Sequence, residues 1–84
     1  MQLIAHYTVS DYAAFKTAFD ADAEDRANNG LSLLQLWRES GTSAWALFTI
    51  ADQPKAKAYL DGAAGVFNSQ GGVTGTNFHF VETA

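Results

Sequence analysis

The chemistry open to this 84-residue chain rests on few side chains, beginning with its two histidines. His6 and His79 are the groups that titrate near neutral pH. Neither has a carboxylate neighbour in sequence, and two histidines fall short of the usual three- or four-ligand zinc site. A structural or interface role is the stronger reading for both, and no metal is expected. The aromatics are the second group. Tyr7, Trp37, Phe48 and Tyr59 are placed to line a pocket between a sheet and its helices, with His79 at its margin. Tyr7 and Tyr59 would offer hydroxyls, Trp37 an indole donor and Gln35 an amide, enough to orient a flat ligand. The plainer alternative is that these rings fill the core, which is what aromatic side chains most often do. No residue identifies itself as catalytic.

Other patterns exclude chemistry. There is no cysteine, so disulfides, thiol catalysis and cysteine-ligated metals are absent. Asp20, Asp22, Glu24 and Asp25 form an acidic run late in a helical stretch, where they cannot wrap a calcium ion as a loop would. A solvated helix face is expected there. Gly71-Gly72-Val73-Thr74-Gly75 looks like a phosphate loop, but it leads into a strand rather than opening a helix, so it reads as chain reversal. No nucleophile elbow, zinc spacing or Walker pattern occurs. Five basic against nine acidic side chains leave a formal charge of −4, and no basic cluster suits nucleic acid. No apolar run reaches the roughly 18–20 residues of a membrane span, and no basic, apolar leader precedes the first strand-like run. A cytoplasmic protein is the expectation.

The elements that must position these residues follow from a repeat. Thr8-Val9-Ser10-Asp11 recurs as Thr49-Ile50-Ala51-Asp52, each copy ending an apolar run and opening a helical pattern. Both read as a strand entering a helix whose N-cap is the aspartate. Residues 2–9 form the first strand. Tyr12, Phe15, Phe19, Ala23 and Ala27 make one helical stripe, stopped by Asn28-Asn29-Gly30. Residues 31–39 and 44–50 are two strands joined by a hairpin whose turn centres on Gly41 and Thr42. A second helix over 53–60, with Pro54 in its first turn, is interrupted by Gly62. Residues 63–70 suit a further turn or two of helix, and 76–82 the last strand. The order β-α-β-β-α-β predicts one α+β domain of ferredoxin-like type, an antiparallel four-stranded sheet with its helices on one face.

The repeat also sorts the faces. Residues just before the caps pack under the helices, which places Ala5, Tyr7, Val9, Ala46, Phe48 and Ile50 there. An even hairpin loop adds Leu33, Gln35 and Trp37 to that side. The other face then collects Ile4, His6, Thr8, Leu34, Leu36, Arg38, Trp45 and Leu47. That face is too apolar for water, and 48% hydrophobic content is generous for so small an interior. A homodimer with two sheets face to face is expected, with Ile4, His6, Leu34, Leu36, Arg38, Trp45 and Leu47 at its interface; Arg38 is read as reaching Glu39 or another acid of the partner, the alternative being a clamp on a ligand carboxylate.

This layout resembles the dimeric α+β barrel superfamily, the group that includes antibiotic-biosynthesis-monooxygenase-like proteins. Val9-Ser10-Asp11-Tyr12 with Phe15, Lys16 and Phe19 carries the resemblance at the first joint. Lys55-Ala56-Lys57-Ala58-Tyr59-Leu60 is similar to the second helix of small members labelled cyclases, and Gly72-Val73-Thr74-Gly75 leading to Phe78-His79-Phe80-Val81-Glu82 is similar to their closing segment. The resemblance implies a cofactor-independent monooxygenase- or cyclase-like enzyme acting on a small aromatic or polyketide-like molecule. The alternative it leaves open is a noncatalytic ligand-binding or structural dimer. Tyr7 stands where related proteins often carry histidine, and the second helix has no histidine to ligate haem.

Overall fold

The structure is a computed structural model that describes residues 1–62, 68–69 and 71–84. Strand β1 (Gln2–Val9) enters helix α1 (Tyr12–Ala21), followed by a short helix α2 (Ala23–Asn28). Strands β2 (Leu31–Ser40) and β3 (Ser43–Ile50) form the hairpin, helix α3 (Gln53–Asp61) follows, and β4 (Val73–Val81) closes the chain. The sheet order is β2-β3-β1-β4, and each described pairing is antiparallel. This is the ferredoxin-like α+β arrangement read from the repeat. The further helix expected over 63–70 falls largely outside the described residues. Among the described residues, no helix is long and apolar enough to cross a membrane.

Both joints cap as expected. The Asp11 carboxylate accepts from the Ala14 amide at 3.0 Å, and Asp52 accepts from the Lys55 amide at 3.1 Å. Each satisfies an amide that the first helical turn leaves without a partner. Each joint also leans on a glycine with positive φ. Ser10 N–H donates to the Gly72 carbonyl at 2.9 Å, and Ala51 N–H donates to the Gly30 carbonyl at 3.0 Å. Gly30 (φ +83°) lies so close to Asp52 that a Cβ there would stand 3.2 Å from the Asp52 amide nitrogen. A Cβ on Gly72 (φ +65°) would collide with the Ser10 hydroxyl. The repeat in sequence is therefore a repeat of contacts.

The core lies between the sheet and the helices. Leu3, Ala5, Tyr7 and Val9 of β1 and Ala44, Ala46, Phe48 and Ile50 of β3 alternate into it, while Phe15 and Phe19 descend from α1 and Ala56 and Tyr59 from α3. Small alanines on the two central strands leave height for the rings above them. Phe15 and Phe19 stack at 5.3 Å between ring centres, and Tyr7 lies 5.2 Å from Phe15. Such aromatic contacts add roughly 0.5–1.5 kcal/mol each beyond the area they bury.

Strand β2 departs from the expected register. Its hairpin loop is even, with Ser40 opposite Ser43, but the pairing slips by one residue between Arg38 and Ser40 and again between Leu33 and Gln35. A bulge inverts the faces of the residues beyond it, because side chains alternate with period two. The stretch between the slips is therefore turned over. Gln35 lies opposite Leu47 and Trp37 opposite Trp45, on the outer face, whereas Leu36 lies opposite Ala46 and Arg38 opposite Ala44, on the helix side. Leu36 packs against the core, and the Arg38 guanidinium sits 5.2 Å from the centre of the Tyr12 ring. Leu36 and Arg38 thus leave the set expected at the outer face, and Gln35 and Trp37 leave the set expected in the pocket. Leu33 lies opposite the core residue Phe48, as expected, and Leu34 is the extra residue of its bulge.

The first helical stripe is also interrupted. The chain breaks at Asp22 (φ −91°, ψ 2°), and the turn this introduces leaves Ala23 and Ala27 exposed while burying Arg26.

The glycine contacts generate the first prediction. Gly30→Ala places a Cβ in the left-handed region and against Asp52 backbone, and should lower stability by at least about 1–2 kcal/mol. Urea unfolding should show a lower midpoint with an unchanged slope.

Candidate functional site

Tyr7 projects from the middle of β1 toward the helices and Phe48 projects beside it from β3. Tyr59 comes down from α3, and Phe78 rises from β4 opposite Ala5. Together with Leu31, Leu60 and Asn68 they line a cavity between sheet and helices. Its enclosed part has room for about one water molecule. Its empty space, counting the part continuous with solvent, is about 290 Å³. Tyr7 and Phe78 meet edge to face at 6.1 Å between ring centres, so the walls are largely aromatic.

One side of this cavity is charged, and it lies at the break that Asp22 makes between α1 and α2. Arg26, 5% exposed, lays its guanidinium over the Phe19 ring at 3.7 Å from the ring centre. Arg26 Nη1 stands 3.6 Å from Asp22 Oδ2, an ion pair too long for a hydrogen bond. That same carboxylate oxygen accepts the Tyr59 hydroxyl. Among the described residues, Arg26 Nη1 is a buried nitrogen without a hydrogen-bond acceptor. Burial lowers the Arg26 pKa, while the Tyr7 phenol and the Asp22 carboxylate oppose that shift. Burial raises the pKa of Tyr7, the nearby Arg26 cation working against it. The Tyr59 pKa is raised by burial first and then by its bond to Asp22. Both phenols therefore stay protonated near neutral pH and serve as hydrogen-bond donors, not as bases.

Tyr7, Phe48 and Tyr59 are the sequence-predicted residues that this cavity brings together. Gln35, Trp37 and His79 are not in it. His79 lies opposite Ile4 on the outer face and is exposed, because Phe78 and Phe80 take the helix side of β4. Arg26 and Asp22 are the residues that sequence reasoning missed. Asp22 belongs in sequence to the acidic run expected on a solvated face, and the other three acids, Asp20, Glu24 and Asp25, are indeed exposed. A signal was present, since Arg26 falls seven residues after Phe19, on the same helical face. A cation at a core-facing position points to a buried ion pair.

The outer face carries a second polar group. The His6 ring stacks on Trp45 at 4.3 Å between ring centres, and His6 Nε2 lies 2.6 Å from Ser43 Oγ. Ser43 Oγ donates to Glu39 Oε1 at 2.8 Å, and Trp45 Nε1 donates to the same oxygen at 2.7 Å. Bonds from Trp45 and then Ser43 hold the Glu39 carboxyl below its usual range. Histidine, serine and glutamate meet here, with Ser43 Oγ between the His6 ring and the Glu39 carboxylate. The network ties β1, β3 and β2 together across the sheet. Ile4, Leu47 and Val81 share this face with the two tryptophans.

The phenols set a pH dependence. A group whose pKa is raised on folding stabilises the fold below its unfolded value and loses that contribution as pH climbs past it. The unfolded value for tyrosine is about 10. Stability should therefore be insensitive to Tyr7 and Tyr59 at neutral pH and fall at strongly alkaline pH. Tyrosinate absorbance should show these two phenols ionising above the ordinary tyrosine range, together with loss of the fold.

No protein-family model matches the chain, and no curated protein matches it. Its backbone is similar to several solved structures. The cofactor-independent oxygenase SnoaB from Streptomyces nogalater superposes with a TM-score of 0.66 at 16% identity, over 99% of this chain and 93% of that one. A NIPSNAP domain protein from Burkholderia xenovorans gives 0.66 at 15% identity, over 100% and 95%. The ActVA-Orf6 monooxygenase of Streptomyces coelicolor, solved with nanaomycin D, gives 0.57 at 11% identity, over 99% and 88%. At such identities the likeness establishes architecture alone: this chain has a ferredoxin-like α+β fold.

Proposed function

We propose that the chain works as a homodimer with its two sheets face to face, each protomer holding a small aromatic molecule between sheet and helices. We propose further that it acts on that molecule as a cofactor-independent monooxygenase- or cyclase-like enzyme. The observation that carries this reading is the convergence of Arg26, Asp22 and Tyr59 on one side of an aromatic-walled cavity. Flat ligands bind where apolar walls supply area and a few polar groups supply orientation. Without a cofactor, the electrons that reduce oxygen come from the substrate itself, so an electron-rich aromatic is the fitting class. The fold shared with SnoaB and ActVA-Orf6 supports the reading at the level of architecture.

A second reading, a noncatalytic ligand-binding or structural dimer, is favoured by the enclosed space, which takes about one water molecule as it stands. Calorimetric titration with small hydroxyaromatic compounds, followed by oxygen-electrode assays on any binder, separates the two. Both tryptophans lie on the outer face, so their fluorescence would follow assembly instead. The enzyme reading expects oxygen uptake that falls at least about tenfold in Tyr59→Phe. Binding without uptake rejects catalysis and leaves the second reading.

The dimer rests on the outer face, where Trp37 is 48% exposed beside half-buried Ile4, Trp45 and Leu47. Large apolar patches of this kind mark interfaces. Light scattering should give twice the protomer mass at micromolar concentration, and Leu47→Glu should yield monomers, because an unpaired carboxylate would be buried between the sheets. A wild-type monomer at that concentration would reject the assembly.

A further inference from the structure

We infer that Arg26 makes the cavity selective for ligands bearing an anionic oxygen on an aromatic ring, a phenolate, enolate or carboxylate. The inference rests on the reading that the cavity holds a small aromatic ligand, and it adds which member of that class is taken. Arg26 is 5% exposed, so its charge has lost most of its hydration. Its nearest counter-charge, Asp22 Oδ2, is at 3.6 Å and is already engaged by the Tyr59 hydroxyl. Nη1 is thereby left with a proton and no acceptor among the described residues, and Arg26 is one of the residues that line the cavity. A buried charged donor without an acceptor is costly, so a ligand that supplies an oxygen anion removes a penalty as well as adding a contact.

The surroundings favour an anion attached to a ring. Phe19 holds the guanidinium by its face, which keeps the planar N–H groups directed edgewise. Tyr7, Phe48 and Phe78 offer ring surface to the body of the ligand. Tyr59 and Tyr7 are protonated at neutral pH, so neither phenol repels an incoming anion. Asp22 is the one acid among the lining residues, and its charge is balanced by Arg26 itself and by the Tyr59 hydroxyl. A neutral ligand of the same shape would leave Nη1 without a charged acceptor.

The test compares matched probes on the full chain by calorimetry and by proton–nitrogen correlation spectra at mildly alkaline pH. The phenolate arm is 4-nitrophenolate against 4-nitroanisole, and the carboxylate arm is benzoate against benzamide. At least one anion should bind about ten- to a hundredfold more tightly than its neutral counterpart, the ratio expected of a hydrogen bond to a charged group. It should also move the Arg26 side-chain N–H resonances. Bound 4-nitrophenol should ionise at lower pH than the free compound, seen in its phenolate absorbance, because a nearby cation favours the charged form. Arg26→Gln should bring each pair to within about twofold while Arg26→Lys retains part of the difference. Should Arg26→Gln fail to fold, the wild-type ratios and the Arg26 resonances still decide. Equal binding of anion and neutral probe overturns the inference and leaves the ligand-binding cavity standing, as does an anion preference that survives Arg26→Gln. If no probe binds the wild-type protein at millimolar concentration, the ligand-binding reading itself is overturned, and the inference with it.

Discussion

Two aspartate carboxylates, each bonded to an amide one turn into a helix, hold this fold in its working arrangement. Asp11 sets α1 over β1 and Asp52 sets α3 over β3. Capping alone contributes only about 1 kcal/mol per helix, but it decides where the first turn starts and therefore which side chains face down. Phe15 and Phe19 reach the sheet from one joint and Ala56 and Tyr59 from the other. The glycines that receive each joint make this placement close-fitting, since a Cβ on Gly30 would press on the Asp52 backbone and one on Gly72 would meet the Ser10 hydroxyl.

On that frame, two irregularities determine the chemistry. The break at Asp22 turns α2 so that Arg26 packs over Phe19 and Asp22 meets Tyr59. The two bulges in β2 turn over the stretch between them, sending Trp37 out to Trp45 and bringing Leu36 into the core. The aromatic supply is thereby divided. Phenylalanine and tyrosine rings line the interior, and both tryptophans go to the outer face.

This division keeps the outer face and the cavity apart. The outer face carries Ile4, Trp37, Trp45, Leu47 and a hydrogen-bonded His6–Ser43–Glu39 chain, all remote in chemistry from the buried Arg26 cluster. The central strands β1 and β3 serve both sides, alternating residues toward the helices and toward the open face. Their alanines keep the helix side low and leave height for aromatic rings.

The sequence by itself determined the element order, the α+β fold, the capped joints and the faces of β1 and β3, because caps and period-two alternation are local and each is repeated. It also placed Tyr7, Phe48 and Tyr59 on the helix side, since those positions are read directly from the joints. Only the tertiary structure decided which way Gln35, Trp37, Leu36 and Arg38 point, because a bulge depends on how one strand fits its neighbour and leaves no mark in periodicity. It alone placed His79 on the outer face, since Phe78 and Phe80 take their side from the pairing with β1. And it alone joined Arg26 to Phe19 and Asp22 to Tyr59, because the Asp22 partner comes from α3 and meets it only once the helices and the sheet have come together.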